Sequence, residues 1–316
     1  MEDYKILVTG GAGFIGSHIV DALLARGATL VRVLDDFSTG QRANLSHHAN
    51  DPRLDIWEGS ITDAATCVQA CVGITHVSYQ AALGSVPRSL VEPERFMAVN
   101  VVGFSNVLEA ARKAGVRRVV FASSSSVYGD EPSLPKVEDS IGKPLSPYAL
   151  TKQINEQQAA LWQRLYDLET IGLRYFNVFG PRQRSDGSYA AILPRMLAAA
   201  RRGEAPTLFG DGEQTRDFTF VTNVVQANLL ALTTQDPDAI GQVFNVATGH
   251  QISLNAAWAI SQRLAGVSLP ATYAPERPGD IRHSLANIGK AQRLLGYEVE
   301  VGFEEGIIRT IPLVFQ

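Results

Sequence analysis

The stretch that decides the fold is residues 9–16, Thr-Gly-Gly-Ala-Gly-Phe-Ile-Gly, which follows the short apolar run Ile6–Val8. After it, apolar residues recur at the three- and four-residue spacing of a helix that ends near Gly27, namely Ile15, Ile19, Val20, Leu23 and Leu24. A second apolar run, Leu30–Leu34, leads to Asp35. The order of strand, glycine-rich turn, helix and strand predicts a βαβ unit with two parallel strands.

The glycine spacing and the acidic residue together indicate a dinucleotide site. Gly10, Gly13 and Gly16 allow a tight turn, close approach of backbone to a phosphate, and close packing of helix on strand. The helix N-terminus then offers N–H groups and a positive dipole end to a pyrophosphate. Asp35 ends the second strand, where a carboxylate bonds a ribose 2′-hydroxyl and repels a 2′-phosphate. The sequence therefore predicts NAD(H) rather than NADP(H).

Strands and helices continue to alternate, which predicts an α/β fold, a Rossmann-like doubly wound parallel sheet with a smaller mixed α/β C-terminal domain. Further strands are expected at 55–59, 74–78, 118–122, 171–176 and 244–247, and helices at 63–71, 94–114, 147–167, 190–202, 223–232, 254–264 and 288–295. We expect residues 1–176 and about 217–247 to form the NAD-binding domain. About 177–216 and 248–316 then form the smaller C-terminal domain, which we expect to bind the substrate.

Composition narrows the classes of partner. The chain has 316 residues, of which 45% are hydrophobic and 19% charged, and its net charge is −4. This is a soluble globular composition without the basic excess that binds nucleic acid or anionic membranes. Apolar runs stay well short of the ~20 residues that span a bilayer. The chain enters the strand near Ile6 at once, so we expect neither a signal peptide nor a membrane partner.

Cysteine and histidine content predicts a chain without a metal site. Cys67 and Cys71 are too few for a disulfide framework or a zinc site, and such low content fits a reducing, cytoplasmic location. His47 and His48 are adjacent, so on any regular element we expect their side chains to point apart. A polar loop is the simpler interpretation of this pair than a shared metal ion.

A second motif, Ser146-Pro147-Tyr148-Ala149-Leu150-Thr151-Lys152, opens a predicted helix that runs to about Asp167. Proline suits a first helical turn, and residues four apart lie on one side of a helix. An ammonium beside a phenol lowers the phenol's pKa, and moving that pKa from ~10 to about 7 takes roughly 4 kcal/mol. Tyr148 and Lys152 are thus a candidate general base and its partner. An ordinary surface pair is the alternative.

Serine hydroxyls are expected near the same place. Ser123–Ser126 leave the strand 118–122 at its carboxyl end, where ligands bind in a doubly wound sheet. Serine runs in loops are otherwise typical of solvation or capping. Arginines recur in the C-terminal half, and bidentate arginines suit a diphosphate, although a surface ion pair is the alternative for any one of them; they are Arg182, Arg184, Arg216, Arg277 and Arg282.

Taken together, the glycine loop, Asp35, the serine loop and the Tyr148/Lys152 pair resemble an extended short-chain dehydrogenase/reductase over essentially the whole chain. Within that superfamily the sequence is similar to nucleotide-sugar 4-epimerases, and most similar to bacterial UDP-N-acetylglucosamine 4-epimerases of surface-polysaccharide pathways. The stretches that carry this likeness are residues 81–89, 173–181, 188–194 and 277–284.

The resemblance implies a redox route to epimerisation. Tyr148 takes the proton of the sugar 4-hydroxyl as NAD⁺ takes hydride from C4, and Ser124 bonds the same hydroxyl. Lys152 bonds the nicotinamide ribose and, with the positive nicotinamide, keeps Tyr148 ionised. The 4-keto sugar turns about its diphosphate linkage and takes hydride on its other face. NAD is regenerated, so the resemblance implies that it is held as a prosthetic group.

The resemblance also assigns residues to the two ligands, with Ser124, Tyr148 and Lys152 catalytic. For the cofactor it implies Gly10, Gly13, Phe14, Ile15, Gly16, Asp35, Asp36, Ser38, Thr39, Gly40, Ser60, Ile61, Gln80, Ala81, Ala82, Asn100, Ala122, Tyr148, Lys152, Tyr175, Asn177 and Val178. For the UDP-sugar it implies Ser85, Val86, Arg88, Ser124, Ser125, Ser126, Asn177, Ala191, Ile192, Leu208, Phe209, Arg216, Arg277, Asp280 and Ser284.

Three positions bear on specificity. Ser284 falls where the family has a gate beside the sugar C2 substituent, and a small residue there leaves room for an N-acetyl group. Ser60 replaces the usual aspartate on the adenine amine, which would weaken NAD retention, and Gln80 replaces a common histidine. The interval 125–127 lacks the acid that the related 4,6-dehydratases use, which disfavours dehydration.

The resulting expectation is an NAD-dependent UDP-GlcNAc/UDP-GalNAc 4-epimerase. The alternatives are a UDP-glucose/UDP-galactose or UDP-glucuronate 4-epimerase, and, in another class, a non-catalytic NAD-binding sensor or scaffold. Family dimers pair the helices near 94–114 and 148–166 in a four-helix bundle, so a homodimer is expected. An apolar outer face on these helices could equally pack within one subunit.

Overall fold

A computed structural model describes residues 3–185, 191–276 and 281–314, the last three by their backbone alone. Within these residues the main sheet has seven strands, ordered β11-β6-β5-β4-β1-β2-β3, and all six neighbouring pairs are parallel. The predicted doubly wound parallel sheet is confirmed. The strands are β1 Lys5–Thr9, β2 Leu30–Asp35, β3 Leu54–Glu58, β4 His76–Tyr79, β5 Arg118–Ser124, β6 Glu169–Tyr175, β7 Val178–Phe179, β8 Thr207–Phe209, β9 Thr215–Arg216, β10 Thr219–Phe220, β11 Val243–Val246, β12 Ile252–Ser253 and β13 Thr272–Ala274.

The helices follow the predicted order with two additions. They are α1 Phe14–Ala25, α2 Ala64–Ala70, α3 Val86–Ser89, α4 Pro93–Phe96, α5 Gly103–Ala114, α6 Pro147–Tyr166, α7 Ile192–Arg202, α8 Val221–Thr233, α9 Leu254–Ala265, α10 Gly289–Leu295 and α11 Phe303–Val314. Short 3₁₀ helices cover Arg42–His48, Ser125–Tyr128 and Pro237–Ala239, and a π-helix, Met97–Val102, joins α4 to α5. The sequence predicted neither α3 nor α11.

Side chains on the two faces of the sheet enter two separate apolar cores. Ile6 and Val8 of β1 pack in a core with α1 and α8, whereas Leu7 packs on the opposite face in a core with α2 and α5. This alternation follows from the two-residue period of a strand. Because helices cover both faces, the central strands contain continuous apolar runs such as Ile6–Val8 and Val119–Ala122, as is typical of a buried parallel sheet.

A third core lies outside the sheet and unites the C-terminal helices. It joins α7, α9 and α11 around a cluster of aromatic rings that includes Phe179, Phe218, Phe220 and Phe303. Although β11 follows β6 by many residues, it pairs with β6 at the edge of the main sheet. The exact division of the chain into two domains stays a prediction.

Helix α6 carries an apolar stripe formed by Leu150, Leu161 and Leu165, and this stripe faces outward. Pro147 occupies the first turn of this helix, as the sequence predicts, and Ser146 caps the helix by accepting a hydrogen bond from the Ala149 N–H. Yet Leu150, Leu161 and Leu165 are 40%, 37% and 57% exposed. The buried face of α6 instead carries the polar side chains that reach the site described below. No helix in the described ranges is long and apolar enough to cross a membrane.

The glycine turn allows a specific test of the fold. In a Gly16→Ala variant the new Cβ would lie 2.2 Å from the Gly10 carbonyl oxygen and 2.9 Å from the Gly11 Cα. Both obstacles are backbone, so we expect overpacking to lower the free energy of unfolding by about 1–3 kcal/mol. Thermal unfolding measures the loss, with Gly302→Ala as control because its Cβ meets nothing within 4 Å. Equal melting temperatures for the two variants would contradict this account of the turn.

Candidate active site

The turn between β1 and α1 forms one wall of a cavity at the carboxyl ends of the strands. Gly13 precedes α1 in an extended conformation, and among the described residues no side chain caps the first turn. The N–H groups of that turn and the positive end of the helix dipole are therefore available to an anion. The cavity has a volume of about 320 Å³.

Most of the predicted cofactor residues line this first cavity. They are Gly10, Gly13, Phe14, Ile15, Gly16, Asp35, Asp36, Ser38, Thr39, Ile61, Gln80, Ala81, Ala82, Ala122, Tyr148, Lys152 and Tyr175. Residues that the sequence analysis missed also line it, and they are Leu34, Gly59, Leu83, Gly84, Ser123, Arg95 and Val99. The first five of these residues are sequence neighbours of predicted positions near strand ends, so the sequence could have indicated them. Arg95 and Val99 are brought there by the helix 93–114 and have no such signal.

Five predicted cofactor residues lie outside that lining. Gly40 packs on Asp35, and its Cβ would lie 2.8 Å from Oδ1. The Ser60 hydroxyl pairs with Thr62 at 2.8 Å. Asn100 is buried, where it accepts the Leu83 N–H and donates to the Thr151 hydroxyl. Asn177 and Val178 line a second cavity instead.

Asp35 holds the glycine turn against the segment that follows β2. Its Oδ2 accepts the Ala12 N–H and its Oδ1 accepts the Phe37 N–H, each at 2.9 Å. Burial raises the pKa of Asp35, and these two backbone donors oppose that rise. Each carboxylate oxygen keeps a second lone pair for a ligand hydroxyl, so Asp35 can serve both purposes.

The Tyr148/Lys152 pair meets the serine loop at the cavity wall. The Ser124 hydroxyl hydrogen-bonds the Tyr148 side chain, and Lys152 Nζ donates to the Ala122 carbonyl oxygen at 2.8 Å. Ser126 donates both its N–H and its hydroxyl to Ser124 Oγ. Residues from β5, the 3₁₀ helix after it and α6 therefore converge on Tyr148, as the sequence predicts.

The predicted effect of Lys152 on Tyr148 is wrong in this structure. Burial raises the pKa of Tyr148, and the hydrogen bond from Ser124 only opposes that rise. Lys152 Nζ lies 6.0 Å from the centre of the Tyr148 ring and points to Ala122. Burial also lowers the pKa of Lys152 to about 8. Desolvation, which penalises both charged forms, is the largest cause of the shift at each group.

A buried ion pair between α6 and β6 lies next to these residues. Glu156, one turn beyond Lys152 on α6, makes a bidentate pair with Arg174 of β6, at 2.9 and 2.8 Å. The Ser123 hydroxyl donates to Glu156 Oε1 at 2.5 Å. Glu156 thus ties the residue before Ser124 to the helix that carries Tyr148. An arginine buried in strand β6 needs an acidic partner. Arg174 was therefore the sequence signal from which an ion pair at this place could have been predicted.

A second cavity of about 420 Å³ adjoins the first, and Gly84 lines both. Of the predicted substrate residues, it contains Ser85, Val86, Asn177, Ala191, Ile192, Phe209 and Arg216. It also contains residues that were not predicted, among them Pro87, Phe179, Pro194, Arg195, Gln214, Phe218 and Leu254. The two spaces together form one cleft between the sheet and the C-terminal core.

Other predicted substrate residues lie beside the cleft. Arg88 pairs with Glu92 at 2.9 Å, Leu208 is fully buried, and the Ser284 N–H donates to the Thr215 carbonyl. In the described part of the chain these three line neither cavity, and neither do Ser124, Ser125 and Ser126, which adjoin Tyr148. Arg277 and Asp280 lie outside the described residues.

One prediction about the histidines is wrong. His47 and His48 end the 3₁₀ helix Arg42–His48, and both Nε2 atoms lie 2.9 Å from the same oxygen, Asp21 Oδ1. Their side chains therefore converge. Arg182, considered for a diphosphate, also binds Asp21, at 2.8 Å from Oδ2.

Comparison with known proteins agrees with this architecture. Residues 6–247 match the NAD dependent epimerase/dehydratase family. The chain belongs to this family. A UDP-glucose 4-epimerase of Mycolicibacterium smegmatis is 39% identical over 97% of both chains. The solved UDP-N-acetylglucosamine 4-epimerase of Methanobrevibacter ruminantium, in complex with UDP-N-acetylmuramic acid, is 37% identical with TM-score 0.94 over 99% of this chain and 98% of that one. The Thermus thermophilus UDP-glucose 4-epimerase complex with NAD is 35% identical with TM-score 0.88 over 98% of both.

The cofactor of this epimerase/dehydratase chain is NAD, and the first cavity fits it. A Cβ at Gly13 or Gly16 would approach the Gly10 carbonyl oxygen to 3.1 or 2.2 Å, so the turn keeps the helix N-terminus clear. Asp35 and Asp36 place carboxylates where a 2′-phosphate would be repelled. When bound, NAD would supply the hydride acceptor, while Tyr148 and Lys152 provide polar groups of the cavity wall and Ser124 lies beside Tyr148.

Removing one oxygen tests the role of Tyr148. We expect Tyr148→Phe to lower turnover at least ~10²-fold while the protein keeps its NAD, because the ring remains and the general base is lost. Steady-state rates and the NAD released on denaturation measure the two effects. Tyr166→Phe is the control, since Tyr166 ends the same helix and is 47% exposed. Turnover like that of the wild type in Tyr148→Phe would remove this residue as the base.

Proposed function

We propose that the protein is an NAD-dependent UDP-sugar 4-epimerase that interconverts UDP-GlcNAc and UDP-GalNAc through a 4-keto intermediate. The observation that carries this proposal is that Tyr148 and Lys152 line a cofactor cavity, with the Ser124 hydroxyl beside Tyr148, and that a second cavity adjoins this one at Gly84. The family match and the 4-epimerases among its relatives support it. A non-catalytic NAD sensor would need neither that pair nor the second cavity.

The side chains divide the chemistry between them. Tyr148 Oη removes the proton of the sugar 4-hydroxyl, and the Ser124 hydroxyl orients that oxygen and stabilises the charge on it. NAD bound in the first cavity would supply the acceptor for the C4 hydride, and the sugar would then carry a 4-ketone. Lys152 lines that cavity, donates to the Ala122 carbonyl oxygen, and would bond the nicotinamide ribose. Tyr148 would give its proton back to the 4-oxygen once the opposite face of the ketone has taken the hydride, which would complete inversion at C4.

The second cavity is where we place the sugar nucleotide. Arg216 and Asn177 line it and are proposed to contact the UDP-sugar, with Arg277 and Asp280 on the diphosphate and the uridine ribose. The 4-keto sugar must turn over between the two hydride transfers, and the open volume permits this motion. Residues 125–127 offer no acidic side chain for loss of the C6 hydroxyl, which disfavours a dehydratase.

Two substrate pairs remain as candidates, and different observations favour them. Ser284, 9% exposed and bonded to the residue before Arg216, is small enough to admit a C2 N-acetyl group. A pocket that admits the larger group also admits UDP-glucose and UDP-galactose, which the name of the mycobacterial relative favours. UDP-glucuronate is a third possibility.

A direct product assay separates these candidates. Purified protein is given UDP-GalNAc or UDP-galactose, without added NAD, and the products are resolved by chromatography. Conversion of UDP-GalNAc at the higher kcat/KM would support the proposal and show that the cofactor is retained despite Ser60. Conversion of UDP-galactose alone favours the second candidate, and no conversion of either, even with NAD added, would refute both.

Enlarging residue 284 tests the proposed gate. We expect Ser284→Tyr to reduce kcat/KM for UDP-GalNAc at least about tenfold more than for UDP-galactose, because the ring occupies the volume of the N-acetyl group. Ser284→Ala removes the hydroxyl without adding bulk and is the control. An equal loss on both substrates would show that Ser284 does not select the C2 substituent.

We also propose a homodimer built on α6 and the helix 93–114, in the cytoplasm. The outward stripe of Leu150, Leu161 and Leu165, with Val102 at 52% exposure on the neighbouring helix, is more apolar than a solvated face needs. Cys67 and Cys71 are buried free thiols, which suits a reducing compartment.

Charged substitutions test the proposed dimer face. We expect the double variant Leu161→Glu/Leu165→Glu to sediment as a monomer, because burying two carboxylates without partners opposes association. The wild type should sediment as a dimer. Val72→Glu is the control, since Val72 is an exposed apolar residue (65%) outside these helices. A monomeric wild type, or a double variant that remains dimeric, would contradict the proposal.

A further inference from the structure

Three ligand-type side chains meet on the surface behind the glycine turn, away from Tyr148. Asp21 lies in the middle of α1, and His47 and His48 end the 3₁₀ helix that packs beside it. Both Nε2 atoms approach Asp21 Oδ1 to 2.9 Å, and the ligand atoms all lie within 4.8 Å of one another. The two imidazole rings are 4.1 Å apart and tilted by 43°.

The surroundings orient this cluster. Arg182 binds Asp21 Oδ2 at 2.8 Å, which fixes the carboxylate and leaves Oδ1 directed at the histidines. The neighbouring His18 is held apart, with its Nε2 3.0 Å from the Pro181 carbonyl oxygen. The side chains of Asp21 and His48 are 29% and 21% exposed, so the cluster is partly desolvated but open on one side. A carboxylate oriented by a second residue is the arrangement that ordered metal sites use.

The donor set selects a class of ion. Two imidazole nitrogens and one carboxylate oxygen suit divalent ions of the zinc, nickel and copper type, whereas Mg²⁺ prefers oxygen alone. With bonds near 2.0–2.2 Å, ligands of a tetrahedral ion lie about 3.3 Å apart. The observed spacing of 2.9 Å between each nitrogen and Oδ1 is within a few tenths of an ångström of that value, and the two nitrogens lie within 4.8 Å of each other.

We propose that Asp21, His47 and His48 bind one divalent transition-metal ion, with the remaining coordination positions open to water. The reaction uses none of these residues, so the site is separate from the proposed epimerase function. Its place in the fold gives it a structural effect. The segment that carries the histidines also holds the glycine turn, because Gln41 N and Asn44 Nδ2 both donate to the Ala12 carbonyl oxygen, at 3.0 and 2.8 Å. A bound ion would cross-link α1 to that segment beside the dinucleotide cavity.

Zinc titration of the tag-free, chelator-treated full chain tests the proposal. We expect calorimetry to give one Zn²⁺ per chain, and an excess of Mg²⁺ not to displace it. His48→Gln and, separately, Asp21→Asn should each weaken Zn²⁺ binding at least about tenfold, since even indirect partners of a metal contribute that much. His250→Gln is the matched control, because it removes an exposed imidazole elsewhere and should leave the affinity unchanged.

Thermal unfolding supplies a second readout and guards against misfolded variants. Zn²⁺ should raise the melting temperature of the wild type and of His250→Gln, and should not raise that of His48→Gln. Melting without metal shows whether each variant is folded; if Asp21→Asn is not, His47→Gln and His48→Gln carry the test. Zinc affinity in folded His47→Gln and His48→Gln equal to that of the wild type would overturn the site, as would a wild type without stoichiometric binding.

Discussion

The close approach of α1 to the end of β1 is the constraint on which the rest of the structure depends. The Gly10 carbonyl oxygen lies where a side chain at position 16 would stand, so only glycine lets the helix start so near the strand. That proximity directs the uncapped N-terminus of α1 at the edge of the sheet. The carboxyl ends of β2, β4, β5 and β6 open at the same edge and bring Asp35, Gln80, Ala122 and Tyr175 to one cavity.

At this edge of the sheet, burial opposes the charged forms of the side chains that the proposed reaction uses. In the mechanism that we propose, Tyr148 loses a proton and Lys152 keeps one, yet burial acts against both charged forms. Ser124 lies beside Tyr148, and the Ser123 hydroxyl before it bonds the buried Glu156–Arg174 pair. These polar contacts fix the positions of the two side chains. Glu156 also opposes the fall in the pKa of Lys152. The protein thus orients these groups, and we expect positive charge on the bound cofactor to favour ionisation of Tyr148.

Features with a local cause were predictable from the sequence. The glycine turn, the cap and first turn of α6, and the convergence of Tyr148 with the Ser124 loop all follow from short-range patterns and from parallel-sheet topology. Features that depend on contacts between distant segments were missed. Arg95 and Val99 enter the cavity only through the path of one helix, and α11 joins a core that the pattern of earlier elements does not specify.

The histidine pair and the leucine stripe show the same limit in another form. Adjacency alone predicts that His47 and His48 diverge, but the end of a 3₁₀ helix packed on α1 directs both to Asp21. Periodicity alone identifies an apolar face on α6, but not whether it faces the core or the solvent. In each case the local rule is sound, and the neighbouring element, distant in sequence, decides the outcome.

The central claim is that hydride leaves C4 of the sugar, stays on the enzyme and returns to the same carbon. UDP-GalNAc labelled with deuterium at C4 of the sugar tests it directly, with mass spectrometry and NMR of the epimerised product formed in ordinary water. The account predicts UDP-GlcNAc that retains deuterium at C4, because the cofactor does not exchange its hydride with solvent. Product carrying solvent hydrogen at C4 would contradict the redox route through Tyr148 and NAD.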